Sequence, residues 1–347
     1  MKTLISIFVL CCCIAACVSH TRNPAQPIQM MIPGRVDICD VPPVDISNFH
    51  IYGNVAYNTP APPQTFSDND RSSTRTLSIV EPDSTVPLPV VVRVHGGAWE
   101  RGKGYDPDLD AIIAQFGYAV VSLNYRLVAQ QDGSVITDPP DYNAENAFPA
   151  GISDLRCAMR WLKLNAAAYN LDMTRLGVLG GSAGGQLAML LTVHDGLFDD
   201  ATCPGSSTIP AFKVAIGYYG VYDVRSSAPF DVLANPSYPV NAISQMLGAP
   251  MDTSVNRFLA SPITHVNGMP QVVMFHGTDD QVIPTSQAQT FQEALLGANV
   301  QALWIELPGL QHGFPMVVDG TKFVANPALA TATCTTLAAL SDALKQQ

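Results

Sequence analysis

Leu176-Gly-Val-Leu-Gly-Gly-Ser-Ala-Gly-Gly-Gln-Leu-Ala188 reads as a short apolar strand, a glycine-flanked serine and the start of an amphipathic helix. Its centre, Gly180-Gly-Ser-Ala-Gly184, fits G-x-S-x-G. A serine on a sharp strand-to-helix turn sits in a strained conformation with backbone pressed close, and only glycine, which lacks Cβ, tolerates that approach at the flanking positions. The turn lifts the hydroxyl to the top of a sheet. It also aims the amide of Ala183 at the place where an oxyanion would form. A glycine-rich turn before an ordinary helix would read alike in isolation. The strand before and the helix after supply the context the motif requires, and Ser182 becomes the candidate nucleophile.

The rest of the chain is compatible with one large core. Of 347 residues, 47% are hydrophobic and 14% charged, which argues against disorder. A formal net charge of −11 argues against a nucleic-acid partner, because phosphate binding needs a basic patch. Strands alternate with helices. Strands are expected over 75–80, 89–94, 118–123, 175–179, 214–219, 271–276 and 300–307. Helices are expected over 105–116, 149–169, 182–194, 285–296 and 327–345. The alternation predicts a mostly parallel sheet with helices on both faces. A Pro- and Asn-rich insertion over 221–268 holds two short helices, and a polar loop spans 127–148.

The N-terminus predicts export. Lys2 precedes an uncharged run over 4–16, too short to span a bilayer but suited to a secretory signal. The run ends Ile14-Ala-Ala-Cys17, which resembles the lipobox of bacterial lipoproteins, with Cys17 as the lipidated residue. Ordinary cleavage near Ala16 is the alternative. Val18 after the cysteine favours the outer membrane of a Gram-negative host; periplasmic or secreted protein is the other expectation. The organisation is then a signal peptide over 1–16, a tether and irregular arm with short strands over 17–70, and a catalytic domain over 71–347. Beyond the signal and Cys17, four cysteines remain: Cys39, Cys157, Cys203 and Cys334. They allow three full pairings, which the sequence does not decide. Cys157, in an apolar helix, also reads as a small core residue.

Catalysis by serine needs a base, an orienting acid and an oxyanion hole. Among seven histidines, His312 follows the last expected strand, on a loop able to reach over the serine. The acid belongs on a loop at a strand's C-terminal end, where Asp279 and Asp280 compete, with Asp223 a third candidate. Asp280 stands four residues before Pro284. The serine–acid–histidine order differs from both well-known protease orders. The strand over 89–94 runs into His95-Gly-Gly-Ala-Trp99, whose glycine amides at Gly96 and Gly97, with that of Ala183, form the expected oxyanion hole. Such donors lower the barrier by about 2.7–4 kcal/mol each. Trp99, Tyr125, Phe314 and Met316 flank these loops as candidate pocket walls, or as loop packing. No His/Cys spacing fits zinc, and neither a metal nor another cofactor is expected.

Together, His95-Gly-Gly-Ala-Trp99, Asn124-Tyr-Arg126, Gly180-Gly-Ser-Ala-Gly-Gly185, His276-Gly-Thr-Asp-Asp280 and Gln311-His-Gly-Phe314 resemble the α/β-hydrolase superfamily. Within it, the chain is similar to the esterase and lipase group that includes hormone-sensitive-lipase-like and feruloyl-esterase-like (BD-FAE) enzymes. The resemblance covers roughly 75 to the C-terminus and puts the acid on Asp280, with Ile283 in place of the pattern's valine. It implies a serine carboxylesterase acting through an acyl-enzyme on a small-molecule ester. The loop over 127–148 and the insertion over 221–268 are expected to roof the site; neither shows a continuous apolar lid helix, which favours short acyl chains or soluble esters. Ala98 stands where many lipolytic relatives have a third glycine. That form also occurs in arylformamidase-like members, so an arylformamidase-like amidohydrolase is one alternative. A non-catalytic hydrolase-fold binding lipoprotein is another. A prolyl-oligopeptidase-like peptidase would need a gating domain, for which the chain before residue 75 is too short.

Overall fold

A computed structural model describes residues 40–57, 75–128, 144–193, 196–205, 208–248, 253–322 and 326–345. The signal segment, Cys17, Cys39 and most of the 127–148 loop lie outside these residues.

One sheet of eight strands organises the chain. In chain order the elements are β1 (Phe49–Ala56), β2 (Thr76–Pro82), β3 (Leu88–Val94), α1 (Pro107–Ala114), β4 (Ala119–Leu123), α2 (Ala150–Asn165), β5 (Leu171–Gly181), α3 (Ala183–Leu191), β6 (Phe212–Tyr218), α4 (Ser237–Met246), α5 (Ser254–Leu259), β7 (Gln271–Gly277), α6 (Ser286–Gly297), β8 (Ala302–Leu307) and α7 (Pro327–Leu344). Spatially the strands run β1-β2-β4-β3-β5-β6-β7-β8. β1 and β2 are antiparallel to their neighbours and the remaining strands are parallel. The sheet therefore begins inside the stretch read as an irregular arm over 17–70. β1 pairs with β2 through a register shift between Tyr52 and Val55, and that bulge breaks the period-2 pattern that marks a strand in sequence.

Period-2 alternation in the strands builds two cores. Val90, Val92 and Val94 of β3 face a cluster with Ile152, Leu155 and Trp161 of α2, Leu187 and Leu190 of α3, and Phe291 of α6. Val91 faces the opposite cluster, with Ile112 and Ile113 of α1 and Leu337 and Leu340 of α7. Helix starts follow their local signals. The Asp106 carboxylate accepts the Leu109 N–H at α1, with Pro107 in the first turn, and Asn326 caps α7 before Pro327. Arg93 on β3 is buried and bonds Asp110 of α1 at 2.6 Å, tying α1 to the sheet.

Two features reach beyond the sequence reading. Cys157 of α2 is disulfide-bonded to Cys203, with Cα atoms 5.4 Å apart, so it is a cross-link as well as a core residue. Cys334 is disulfide-bonded too.

The topology places the site. After β3 the chain moves outward to β4, then α2 carries it back across to β5 on the other side of β3. Such a reversal opens a crevice at the C-terminal ends of the two strands, where ligands bind in open α/β sheets. Val94 pairs with Gly180 there. The loop beginning at His95 and the turn holding Ser182 therefore emerge side by side.

Candidate active site

At the end of β5 the chain turns straight into α3 with Ser182 at the corner. Ser182 has φ 56° and ψ −125°, a conformation that costs a non-glycine residue on the order of 1–3 kcal/mol. Tight packing holds it there. The Ser182 N–H donates to the Tyr218 carbonyl at 2.9 Å. A Cβ on Gly180 would stand 2.3 Å from the Gly184 carbonyl oxygen, and one on Gly184 would stand 2.3 Å from that of Val94. The two glycines that flank the motif are thus dictated by backbone against backbone.

Ser182 Oγ lies 3.0 Å from His312 Nε2, and His312 Nδ1 lies 2.8 Å from Asp280 Oδ2. The other oxygen, Oδ1, accepts the Val282 and Ile283 N–H groups at 2.8 Å each. Burial alone would raise the Asp280 carboxyl. The hydrogen bonds from His276, His312 and the Ile283 amide outweigh it and hold the group well below the usual carboxylate range. An ionised carboxylate only accepts, so His312 carries its proton on Nδ1. Nε2 is left free to accept from the serine hydroxyl. Of the competing acids, Asp279 is exposed, and Asp223 is engaged by Arg225 at 2.7 Å.

The loop after β3 supplies donors. Gly97, Ala98 and Trp99 all have positive φ, at 113°, 55° and 61°. A Cβ on Gly97 would sit 2.0 Å from the Arg101 carbonyl oxygen. This winding puts Gly96 and Gly97 on the cavity wall with Ser182. Their amides, and that of Ala183 at the first turn of α3, have no hydrogen-bond partner among the described residues. Helix N-termini and glycine loops leave such N–H groups to a ligand. His95 below is buried and stacked on Tyr125 at 4.4 Å. Burial pushes its imidazole down to about 4.

The cavity above Ser182 holds about 320 Å³. Trp99 and Met316 line it. Tyr125 and Phe314 are not among its lining residues and take the other expected role, packing the loops. The Tyr125 ring is buried under His95 and its hydroxyl donates to the His95 carbonyl at 2.9 Å. Phe314 packs edge-on against Tyr219 at 4.8 Å. Ile283 lines the cavity too, and other walls come from residues that local sequence did not single out: Tyr219, Val221 and Val282 on loops, and Tyr238, Pro239, Ala242 and Ile243 on α4. The insertion over 221–268 thus reaches the site through α4. Tyr219 also braces the histidine loop, with its ring 4.8 Å from that of His312 and its hydroxyl donating to the Phe314 carbonyl at 3.1 Å. Its φ of 40° is unusual for a bulky residue and invisible in sequence.

Comparisons with known proteins bear on the family and the fold. A family model described as BD-FAE matches residues 77–295. The chain is 29% identical over 255 residues to "Probable carboxylic ester hydrolase LipM" of Mycobacterium tuberculosis, covering 72% of this chain and 54% of that protein. It is 30% identical over 247 residues to "Esterase LipC" of the same organism, covering 69% and 56%. The chain spans about half the length of these curated relatives. Among solved structures, a bacterial heroin esterase superposes with a TM-score of 0.63 at 20% identity, covering 87% of both chains. A truncated carbohydrate esterase from gut microbiota gives 0.61 at 21%, covering 87% of this chain and 99% of that one. At such identities the likeness speaks for the fold, which is that of the α/β-hydrolases. The family match runs from the second strand of the sheet through α6, far more than half of the described fold, and on that ground the chain belongs to the BD-FAE family.

Proposed function

We propose that this protein is a serine carboxylesterase. The observation that carries the reading is the hydrogen-bonded series Ser182–His312–Asp280 opening onto an apolar cavity beside unpartnered amides. His312 Nε2 accepts the Ser182 proton as Oγ attacks the ester carbonyl carbon, and the C=O π pair moves onto oxygen. The amides of Gly96, Gly97 and Ala183 stabilise that oxyanion. Collapse of the intermediate breaks the bond to the alcohol oxygen, which takes the proton from His312, and an acyl-Ser182 remains. Water, deprotonated by His312, then releases the carboxylic acid by the same steps. Asp280 holds the imidazole tautomer and stabilises the transient imidazolium. Rates fall at acidic pH, because a protonated His312 has no lone pair to accept the serine proton.

The cavity favours small, uncharged esters. Its volume is near the lower end of ligand pockets. Most polar side chains on its walls other than Ser182 and His312 are already engaged, the Tyr238 O–H donor excepted. Trp99 Nε1 donates to Gln186 Oε1 at 2.8 Å, Arg101 donates to the Tyr238 hydroxyl at 3.0 Å, and Tyr219 bonds the Phe314 carbonyl. Few groups remain to reward a hydroxyl-rich substrate. A panel of p-nitrophenyl esters of graded acyl length, with feruloyl esters, acetylated sugars and N-formylkynurenine, tests this. Highest kcat/KM on short acyl esters is expected, and a preference for the sugar esters or the formamide overturns it.

We further propose export with lipidation at Cys17, or secretion if cleavage falls at Ala16. The apolar run over 4–16 and the Cys157–Cys203 disulfide support an oxidising compartment. Detergent-phase partitioning of the full chain should be lost in Cys17→Ser. Equal partitioning of both forms contradicts the anchor.

A further inference from the structure

His276, near the end of β7, is fully buried, and the mechanism above gives it no task. Its Nε2 lies 2.9 Å from the Ile283 carbonyl oxygen and 3.2 Å from Asp280 Oδ2. Both are acceptors, so Nε2 carries a hydrogen. Nδ1 is buried with no hydrogen-bond partner. A proton there would be a stranded donor, so the hydrogen sits on Nε2. The Asp280 carboxylate then accepts three hydrogen bonds, from Val282 and Ile283 on Oδ1 and from His312 on Oδ2. The His276 Nε2–H, bonded to the Ile283 carbonyl, flanks Oδ2 at 3.2 Å as a fourth N–H facing the carboxylate. Tyr219, with its hydroxyl committed to Phe314, is the other titratable group acting on this carboxylate.

A packing role does not require a histidine here. An apolar ring would fill the space without an orphaned nitrogen, whose burial carries a cost. The ring's one satisfied edge points at the carboxylate and at the loop that bears it.

We propose that His276 is a positioning residue: its Nε2–H fixes the Asp280 carboxylate and clips the loop over 278–283 to the end of β7, so that Oδ2 meets His312 Nδ1 in the orientation proton transfer needs. The proposal rests on the serine-esterase reading.

The test is kinetic, with p-nitrophenyl butyrate. His276→Phe removes the N–H and keeps a ring. His276→Gln keeps an N–H donor at the distance of Nε2. The Phe variant should lose on the order of 10²-fold in kcat, the cost typical of a misplaced catalytic group, with KM changed less than about twofold. The acid limb of its kcat/KM profile should move to higher pH, because a carboxylate relieved of one donor attracts the His312 proton more strongly. His276→Gln should restore most of kcat and the wild-type limb. A folded Phe variant with unchanged kcat and acid limb overturns the proposal, as does a Gln variant impaired as deeply as Phe. If the Phe variant does not fold, His276→Asn, whose amide is too short to reach Oδ2, takes its place against Gln under the same criteria. Wild-type protein inert towards both the ester and a fluorophosphonate would refute the esterase reading itself, an outcome separate from any difference among variants.

Discussion

Removing the Cys157–Cys203 disulfide should destabilise the protein without touching its chemistry. The bridge closes a loop of 46 residues, for which chain-entropy arguments give about 4 kcal/mol at 25 °C. For a domain of this size that corresponds to a fall in Tm of roughly 6 °C. The native position of residues 196–205 does not depend on the sulfurs alone. Arg156 bonds Asp199 at 2.5 Å and the Val193 carbonyl at 2.6 Å. Arg160 reaches the Asp200 carbonyl at 2.9 Å and that of Cys203 at 2.7 Å. The segment should therefore stay folded, and the loss should fall on the unfolded state. Val193 lies just past the far end of α3 from Ser182, about 15 Å away at helical rise. Scanning calorimetry and ester kinetics on Cys157→Ala/Cys203→Ala check both halves. An unchanged Tm refutes the loop-constraint argument, and a large fall in kcat at a temperature where the variant is folded refutes the separation of bridge and site.

Other perturbations follow from the same geometry. Gly184→Ala forces a Cβ to within 2.3 Å of the Val94 carbonyl oxygen and 2.5 Å of that of His95; urea unfolding should show a loss of at least about 2 kcal/mol, or no folded protein. Asp280→Asn should lower kcat by about 10³–10⁴-fold with little change in Tm, by analogy with the same change in other serine triads. His95 links stability to pH. Its folded pKa is about 4 against about 6.5 unfolded, so between these values the unfolded chain binds the extra proton. Stability is full above pH 6.5 and falls by about 3 kcal/mol as pH drops to 4. Urea midpoints across this window should show that slope, and His95→Gln should flatten it.

Much of the site was legible because its chemistry is local. Gly180, Ser182 and Gly184 form a turn whose sterics can be read from three positions, and each functional loop follows its own strand. The helix start at Pro327 was likewise written in neighbouring residues, while α1, expected from 105, begins at Pro107 behind its Asp106 cap. What escaped the sequence is set by distance in the fold. β1 hides behind a bulge and a half-exposed edge. Tyr125 looked like a wall because it neighbours a catalytic loop in sequence, yet burial under His95 removes it from the cavity. Tyr238, Ala242 and Ile243 carry no local signal, since only the packing of α4 over the crevice turns them towards Ser182. The pairing of Cys157 with Cys203 needed α2 and the 196–205 segment to be brought together. His276 reads in sequence as the end of a strand, and its bond to the Asp280 loop emerges only in three dimensions.

The account stands or falls on Ser182 as a nucleophile. Folded wild-type protein treated with a fluorophosphonate should gain the mass of one adduct, located by peptide mass spectrometry on Ser182. Ser182→Ala, folded to the same Tm, should gain none. An adduct that persists in Ser182→Ala, or its absence from active wild-type protein, contradicts the central claim.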